Sequence, residues 1–275
     1  MIRIGVTGGK GGTGKSFLAT ALAVEIGKER KTLLVDLDVE CPNDHLLLSV
    51  ERKNVRDIFH EVPKFDLSKC IKCGKCSKVC RESAIVWVRN EYPRFLEDQC
   101  IGCMACEIVC SEKAIGRERK RIGSIYEGKG YGIHLVEGEM RIGYEEASPV
   151  VVETKRFAES KHPEIMVIDT SAGTHCGVIS ALMGCDLGIC VTEPTPFGKH
   201  DLKLILRLLE ILGIPAKIVI NKSDLGRKEL IEKVSREFGA EIIGEVPYKK
   251  EILEAYSQGK PYQGNEIQAI VRKLL

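Results

Sequence analysis

The sequence has no excess of either charge. Forty-one lysines and arginines face 39 aspartates and glutamates in 275 residues, a formal net charge of +2. That balance supplies no general attraction to nucleic acid or to an acidic membrane surface. No apolar run approaches the roughly 20 residues needed to span a bilayer. The opening MIRIGVTGG reads as a strand rather than a secretory leader. A cytoplasmic protein with no stable membrane insertion is therefore expected. Apolar content of 44% and charged content of 29% are those of an ordinary soluble protein, and the length admits one α/β domain plus a small module. Cysteine, by contrast, is abundant. A cytoplasm keeps thiols reduced, so twelve cysteines point to metal or redox chemistry rather than disulfides. Eight lie between residues 70 and 110, and the others are Cys41, Cys176, Cys185 and Cys190.

The stretch Gly8-Gly9-Lys10-Gly11-Gly12-Thr13-Gly14-Lys15-Ser16 has P-loop spacing: Gly9, four residues, then Gly14-Lys15-Ser16. Ahead of it, residues 2–7 alternate like a short strand, and residues 17–28 behind it carry apolar side chains at helical spacing. In that setting the glycines let successive N–H groups turn onto phosphate oxygens, and the helix N-terminus adds its dipole. Lys15 is expected to neutralise the β- and γ-phosphates and Ser16 to ligand Mg²⁺.

Lys10 is a second lysine in the loop, and KGGTGKS resembles the deviant P-loop of the MinD/ParA and nitrogenase iron protein group of dimeric ATPases. The resemblance implies that Lys10 reaches across a subunit interface to the partner's nucleotide, so that hydrolysis waits for dimerisation. Residues 31–38 (KTLLVDLD) form a buried-type strand ending in two aspartates, and parallel strands end at the nucleotide edge of such sheets. By the resemblance, Asp36 lies near the metal and Asp38 is the candidate for positioning or deprotonating the attacking water. Residues 165–169 are another buried strand, followed by TSAGTHCG. This resembles the group's Walker B strand and second switch, which implies that Asp169 holds Mg²⁺ through water and that Ala172-Gly173 moves with the γ-phosphate. Ala172 stands where the group usually has proline.

Asn221, in Asn221-Lys222-Ser223-Asp224, resembles the group's base-reading asparagine. The same spacing matches the guanine motif of GTPases, and the KGGTGKS signature favours ATP. Pro247, after the strand 241–244, is expected to border the base pocket. Cys176 has the same separation from Asp169 as a cluster-ligating cysteine of the nitrogenase iron protein, but a second ligand of that kind has no counterpart. A small buried thiol is the expectation for Cys176, with an interfacial thiolate, metal ligand or relay point near the dimer axis as the alternative, and Cys185 and Cys190 in their apolar run are read as buried.

Residues 39–54 read as a loop with a short helical piece, and 55–65 as weakly strand-like, ending at Pro63. There the composition changes. Cys70-x-x-Cys73-x-x-Cys76-x-x-x-Cys80 is repeated as Cys100-x-x-Cys103-x-x-Cys106-x-x-x-Cys110, and Ala84-Ile85 and Ala114-Ile115 follow the two copies. This repeat resembles the bacterial two-cluster ferredoxins. The resemblance implies two [4Fe–4S] clusters, each taking three thiolates from one copy and the fourth from the other. Cys70, Cys73, Cys76 and Cys110 are assigned to one, and Cys100, Cys103, Cys106 and Cys80 to the other. Arg81 and Ser111 replace the proline that follows the fourth cysteine in ferredoxins. Zinc is the rival occupant, since paired C-x₂-C motifs also suit tetrahedral sites. Arg117, Arg119, Lys120 and Arg121 come next, either a solvated face or a docking patch for an acidic electron partner. The alternation from Ser124 to Tyr144 then reads as an antiparallel hairpin.

Alternating strands and helices predict an α/β fold with a doubly wound, mostly parallel sheet. Residues 1–62 and 119–275 are read as the P-loop ATPase, and 63–118 as an inserted α+β ferredoxin-like module. The resemblances together imply an ATP-hydrolysing, Mg²⁺-dependent homodimer that couples nucleotide state to electron transfer through the clusters to a redox partner protein. No specific nucleic acid is expected. A cluster carrier or scaffold ATPase is the first alternative. A MinD/ParA-type positioning regulator, its clusters structural or redox-sensing, is the second.

Overall fold

The two strands that end in Asp36 and Asp169 are buried from end to end, which is what a parallel strand covered on both faces requires. In the computed structural model, which describes residues 1–275, β1 (Ile2–Thr7) leads through the P-loop into α1 (Lys15–Gly27), followed by β2 (Thr32–Asp36) and α2 (Asp44–Leu47). Next come β3 (Arg52–Phe65), α3 (Lys75–Val79), β4 (Ile85–Val86), β5 (Arg94–Phe95) and α4 (Ala105–Ile108). The long strands β6 (Ile115–Gly130) and β7 (Ile133–Met140) precede a regular alternation. That alternation runs α5 (Ser148–Glu159), β8 (Ile165–Asp169), α6 (Cys176–Leu182), β9 (Leu187–Thr192), α7 (Pro196–Ile211), β10 (Ala216–Asn221), α8 (Glu229–Phe238) and β11 (Glu241–Val246). Helices α9 (Lys250–Ser257) and α10 (Asn265–Leu274) close the chain.

One nine-stranded sheet has the order β11-β10-β9-β1-β8-β2-β7-β6-β3, and the pairings from β11 through β7 are parallel. Leu34, Val35, Val167 and Ile168 are wholly buried. Leu18, Leu22 and Ile26 of α1 pack into one core with Leu34 and Val167, and Ala19 and Ala23 let the helix lie close. Ile267 and Ile270 of α10 belong to it too. The register then aligns the strand ends: Val6 opposes Asp169, Asp169 opposes Asp36, and Asp36 opposes Glu137.

The chain divides into two compact units. The first comprises residues 1–55, 125–139 and 148–275, and the second 56–124 with 140–147. The second is wider than the segment 63–118. Strand β3 begins at Arg52 and continues through Pro63, where the sequence suggested a stop. It is the last strand in the sheet order, and edge strands tolerate a residue with no N–H to give. β6 and β7 are joined by Tyr131 and Gly132, both at positive φ (51° and 76°), as a two-residue hairpin turn requires. In the second unit, Ile85, Cys106 and Ile115 form a small buried cluster. Phe65 and Phe95 pack against it with ring centroids 6.1 Å apart.

Glu137 is wholly buried. Its carboxylate accepts from Arg52 Nη1 at 3.2 Å and from the His45 amide at 2.8 Å, and His45 Nδ1 lies 3.1 Å away. Arg52→Met should destabilise the protein by about 3 kcal/mol in urea denaturation, because it leaves a buried carboxylate short of its main counter-charge. Adding Glu137→Gln should restore most of that loss. Equal stability of the single variant and the wild type would contradict this account.

Candidate functional site

The P-loop is shaped by what presses on it. A Cβ on Gly9 would lie 2.4 Å from Asp201 Cβ and 2.7 Å from the Asp201 carbonyl oxygen, so the approach of α7 demands glycine there. Gly14 has φ 94°, and a Cβ on it would meet Asn221 Nδ2 at 2.2 Å. Asn221 is 8% exposed at the end of β10. Its Nδ2 donates to the Thr13 carbonyl at 2.8 Å, and its Oδ1 accepts the Lys222 N–H at 3.0 Å. Both ends of this amide are spent on backbone, one of them holding the loop's curve. Gly11 and Gly12 face open space. Beside the loop lies a cavity of about 350 Å³ lined by Gly12, Lys15, Ser16, Asn221 and Pro247 among others. Phe17, Tyr248, Ile252 and Tyr256 add apolar surface to it. The contribution of α9 was missed from sequence; its one signal is the i, i+4 pair Ile252 and Tyr256.

The two loop lysines differ. Lys15 is buried. Lys10 is more exposed, and its Nζ lies 3.1 Å from Glu193 Oε2. Lys222 Nζ sits 2.7 Å from the other oxygen of Glu193 and donates to the Gly12 carbonyl at 3.1 Å. Burial acts against ionisation of Glu193, but hydrogen bonds from Lys222 and Lys10 outweigh it and hold this carboxyl below its ordinary range. Glu193 and Lys222 were not singled out in the sequence, where they lie 183 and 212 residues from Lys10.

Four acids gather at the strand ends. Asp36 is wholly buried and accepts the N–H groups of Asp38, Asn43 and Asp44 at 2.9, 2.8 and 3.2 Å. Burial, then Asp169 and Glu137, push its pKa well above the carboxylate range. Burial likewise pushes Asp169 up to about 7, against the opposing effects of a Ser16 hydrogen bond and of Lys15. Asp38 is partly exposed and is raised by burial, with Lys15 and His175 pulling the other way. His175 precedes α6, and its Nε2 lies 3.3 Å from Ser171 Oγ. The fourth acid, Asp44, was not foreseen. It is wholly buried, and neither of its oxygens has a hydrogen-bond partner. In sequence it is one acidic residue after a Pro-Asn turn. Asp36, Asp44 and Asp169 each bring an oxygen to within 4.8 Å of the others, a spacing that can hold a metal ion. The segment after β8 is tied to the P-loop, since Thr170 N–H donates to Val6 O at 3.2 Å and Gly173 N–H to Gly8 O at 3.0 Å.

Residues 4–262 match the family described as the CobQ/CobB/MinD/ParA nucleotide-binding domain. The chain belongs to that family. An uncharacterized protein of Methanocaldococcus jannaschii is 40% identical over 263 residues, covering 95% of this chain and 91% of its own. The cell division ATPase MinD of Pyrococcus furiosus superposes with a TM-score of 0.61 at 19% identity, covering 100% of this chain and 99% of its own. MinD of Pyrococcus horikoshii OT3, complexed with Mg-ADP, gives 0.60 at 19% identity, over 98% and 93%. At these identities the likeness to the two MinD structures is one of fold. No helix of the chain is long and apolar enough to cross a membrane.

This member of the CobQ/CobB/MinD/ParA family carries eight of its twelve cysteines in the second unit. Cys70, Cys73, Cys76 and Cys110 line one cavity, and Cys80, Cys100, Cys103 and Cys106 line another. The Gly102 N–H points to Cys100 Sγ at 3.4 Å and the Ala114 N–H to Cys110 Sγ at 3.3 Å. Burial pushes the Cys76 and Cys100 thiols up and takes Cys106 to about 11, with neighbouring thiols adding to each. Cys185 and Cys190 are buried, but Cys176 is exposed, which corrects the expectation of a buried thiol. It opens α6 at the end of an exposed stretch that begins at Thr174.

Asn221→Ala leaves the buried Thr13 carbonyl without its donor, a loss of about 1–3 kcal/mol. The expected outcome is a lower melting temperature and roughly tenfold weaker ADP binding in calorimetry. Asn221→Asp, which keeps the acceptor but not the donor, should behave alike. Wild-type affinity in both would show that the tether does not shape the loop.

Proposed function

We propose that this protein is an ATP-hydrolysing homodimer whose nucleotide state governs electron transfer through two [4Fe–4S] clusters to an acidic redox partner. The observation that carries the reading is the sorting of eight thiols into two quartets, each lining its own cavity. Thiolates are the ligands that cubane irons take, and N–H groups aimed at the sulfurs, here those of Gly102 and Ala114, help set a cluster's potential. When bound, such clusters supply one-electron transfer. The cavities differ in room: about 500 Å³ for the quartet with Cys80 and about 30 Å³ for that with Cys110. The slight apolar core of the second unit supports the reading, since a small core leans on cross-links or bound metal for stability.

At the nucleotide site, Lys15 would bind the β- and γ-phosphates, and Ser16, Asp36 and Asp169 would serve Mg²⁺. Asp38 would orient the attacking water, with Lys10 leaving Glu193 for the partner's nucleotide. Adenine is favoured over guanine because the Asp224 carboxylate, which a guanine-reading loop needs, accepts the Tyr248 N–H at 2.7 Å. The Mg-ADP bound to the Pyrococcus horikoshii MinD agrees with that choice.

The charge around the quartets supports an acidic partner. Residues 69–81 hold five cations and no acid, whereas 97–112 hold four acids and no cation. In the second stretch, Arg141 and Lys120 pair with Glu97, Arg141 with Asp98, and Arg117 with Glu107. In the first, Lys75, Lys78 and Arg81 are exposed and make no ion pair. An acidic carrier therefore meets uncompensated charge beside the Cys70–Cys76 loop, and the attraction acts on encounter rate.

Anaerobic protein should contain about eight irons and eight sulfides per chain. After reduction it should pass electrons to an acceptor at different rates with ATP and ADP. Equal rates with ATP, ADP and no nucleotide would remove the coupling, and zinc in place of iron would remove the redox reading altogether. The double variant Lys75→Glu/Lys78→Glu should keep its iron yet exchange electrons at least about tenfold more slowly with an acidic carrier at low salt. It should also lose most of the salt dependence, and an unchanged salt profile would argue against docking at that loop.

A further inference from the structure

We propose that Glu193 is a positioning residue for Lys10: it holds that lysine within its own subunit and so restrains the joining of two subunits over ATP. This rests on the reading of Lys10 given above, as a residue that acts on the other subunit's nucleotide. Lys10 Nζ lies 3.1 Å from Glu193 Oε2, and Lys222 Nζ lies 2.7 Å from Oε1. The Glu193 side chain is 13% exposed, against 36% for Lys10. Burial works against its ionisation, but Lys222 and Lys10 more than offset that, so the carboxyl is charged at neutral pH.

The two ends of this ion pair are built differently. Glu193 stands on the turn between β9 and α7, and that turn is fixed. Its carbonyl accepts the Thr195 N–H at 2.8 Å, the Thr195 hydroxyl accepts the Gly198 N–H at 3.0 Å, and Thr192 Oγ1 donates to the Gly198 carbonyl at 3.0 Å. A Cβ on Gly198 would lie 2.2 Å from the Glu193 carbonyl oxygen, so α7 starts hard against this residue. Lys10, by contrast, is followed by Gly11 and Gly12, which face open space. The carboxylate is the fixed post, and the lysine is the part with room to swing.

A cation gripped in its own subunit is withheld from any phosphate outside it. One part-exposed ion pair is worth little, but a symmetric dimer breaks two as it forms, so the cost counts twice. Lys222 moderates the grip. It shares the carboxylate with Lys10, and two cations on one anion repel each other, so its charge loosens the hold on Lys10. Its backbone has φ 51°, a conformation uncommon outside glycine and asparagine. From there its Nζ reaches both Glu193 and the Gly12 carbonyl. Loss of the carboxylate and loss of the second lysine therefore act in opposite directions on dimerisation. A purely structural role for the cluster would make both losses harmful.

The test uses the full chain, prepared without oxygen. In nucleotide-free wild-type protein, amine-directed labelling read by mass spectrometry should modify Lys10 more slowly than Lys75, and added salt should narrow that gap. Glu193→Gln, checked for folding by circular dichroism, should be labelled at Lys10 at least about threefold faster. At saturating AMPPNP, a non-hydrolysable ATP analogue, sedimentation should show Glu193→Gln dimerising at least about threefold more tightly than wild type. Lys222→Met should dimerise more weakly. Lys10→Ala tests the underlying reading: it should lose ATP hydrolysis, and wild-type hydrolysis would remove that reading and the proposal together. If Lys10→Ala is inactive but Glu193→Gln dimerises no more tightly than wild type, the reading stands and the proposal falls. The proposal is equally overturned if Lys222→Met dimerises as well as wild type, or if salt leaves the labelling gap at Lys10 unchanged.

Discussion

Four neighbouring strands place Val6, Asp169, Asp36 and Glu137 in one row, and the nucleotide edge depends on that register. Side chains alternate along a strand, so a slip of one residue in β2 would turn Asp36 to the opposite face and break the row. The continuous apolar runs of β2 and β8 are what hold it in place. Each acid then meets a different answer to burial: Arg52 and His45 for Glu137, backbone N–H groups for Asp36, Ser16 and Lys15 for Asp169. Asp44 has none. Burial of this much carboxylate works against stability, and groups shifted in this way cluster at functional sites.

The P-loop is held from the far side by contacts of similar economy. Asn221 fixes its Thr13 carbonyl, Asp201 crowds Gly9, and Gly8 receives the Gly173 N–H from the segment after β8. A change at that segment is therefore felt at the start of the loop through one hydrogen bond. Glu193 meanwhile binds two lysines of very different placement, and Lys222 continues to the Gly12 carbonyl. Lys10, the more exposed of the loop lysines, is thus held by an ion pair that water can reach. Contacts of that kind are worth little net free energy and are readily exchanged for a phosphate.

Much of this was legible from the chain. Buried parallel strands announce themselves as unbroken apolar runs, which is why β2, β8 and β10 could be read with their terminal Asp36, Asp169 and Asn221. The P-loop was legible because its glycines answer to backbone geometry, and geometry repeats. Other features depend on what only folding brings near. Asp44 has no periodic or motif signal, and its isolation arises from three strands and a helix end meeting. Glu193 and Lys222 matter through Lys10, far away in sequence. Pro63 argued for the end of a strand, but the position of β3 at the sheet edge made its missing N–H harmless. Cys176 looked like a small core residue, but it closes the exposed stretch that leads into α6.

The two units face one electrostatic problem in two chemistries. In the first, burial raises the carboxyl pKa values, with neighbouring carboxyls adding to it, and Asp169 reaches about 7. In the second, burial and neighbouring thiols take Cys106 to about 11. A metal ion competes with the proton for each of these groups. The same device, acids drawn together and away from water, therefore raises the proton affinity of both sets, and hard oxygens in one and soft sulfurs in the other decide which kind of metal could compete with the proton.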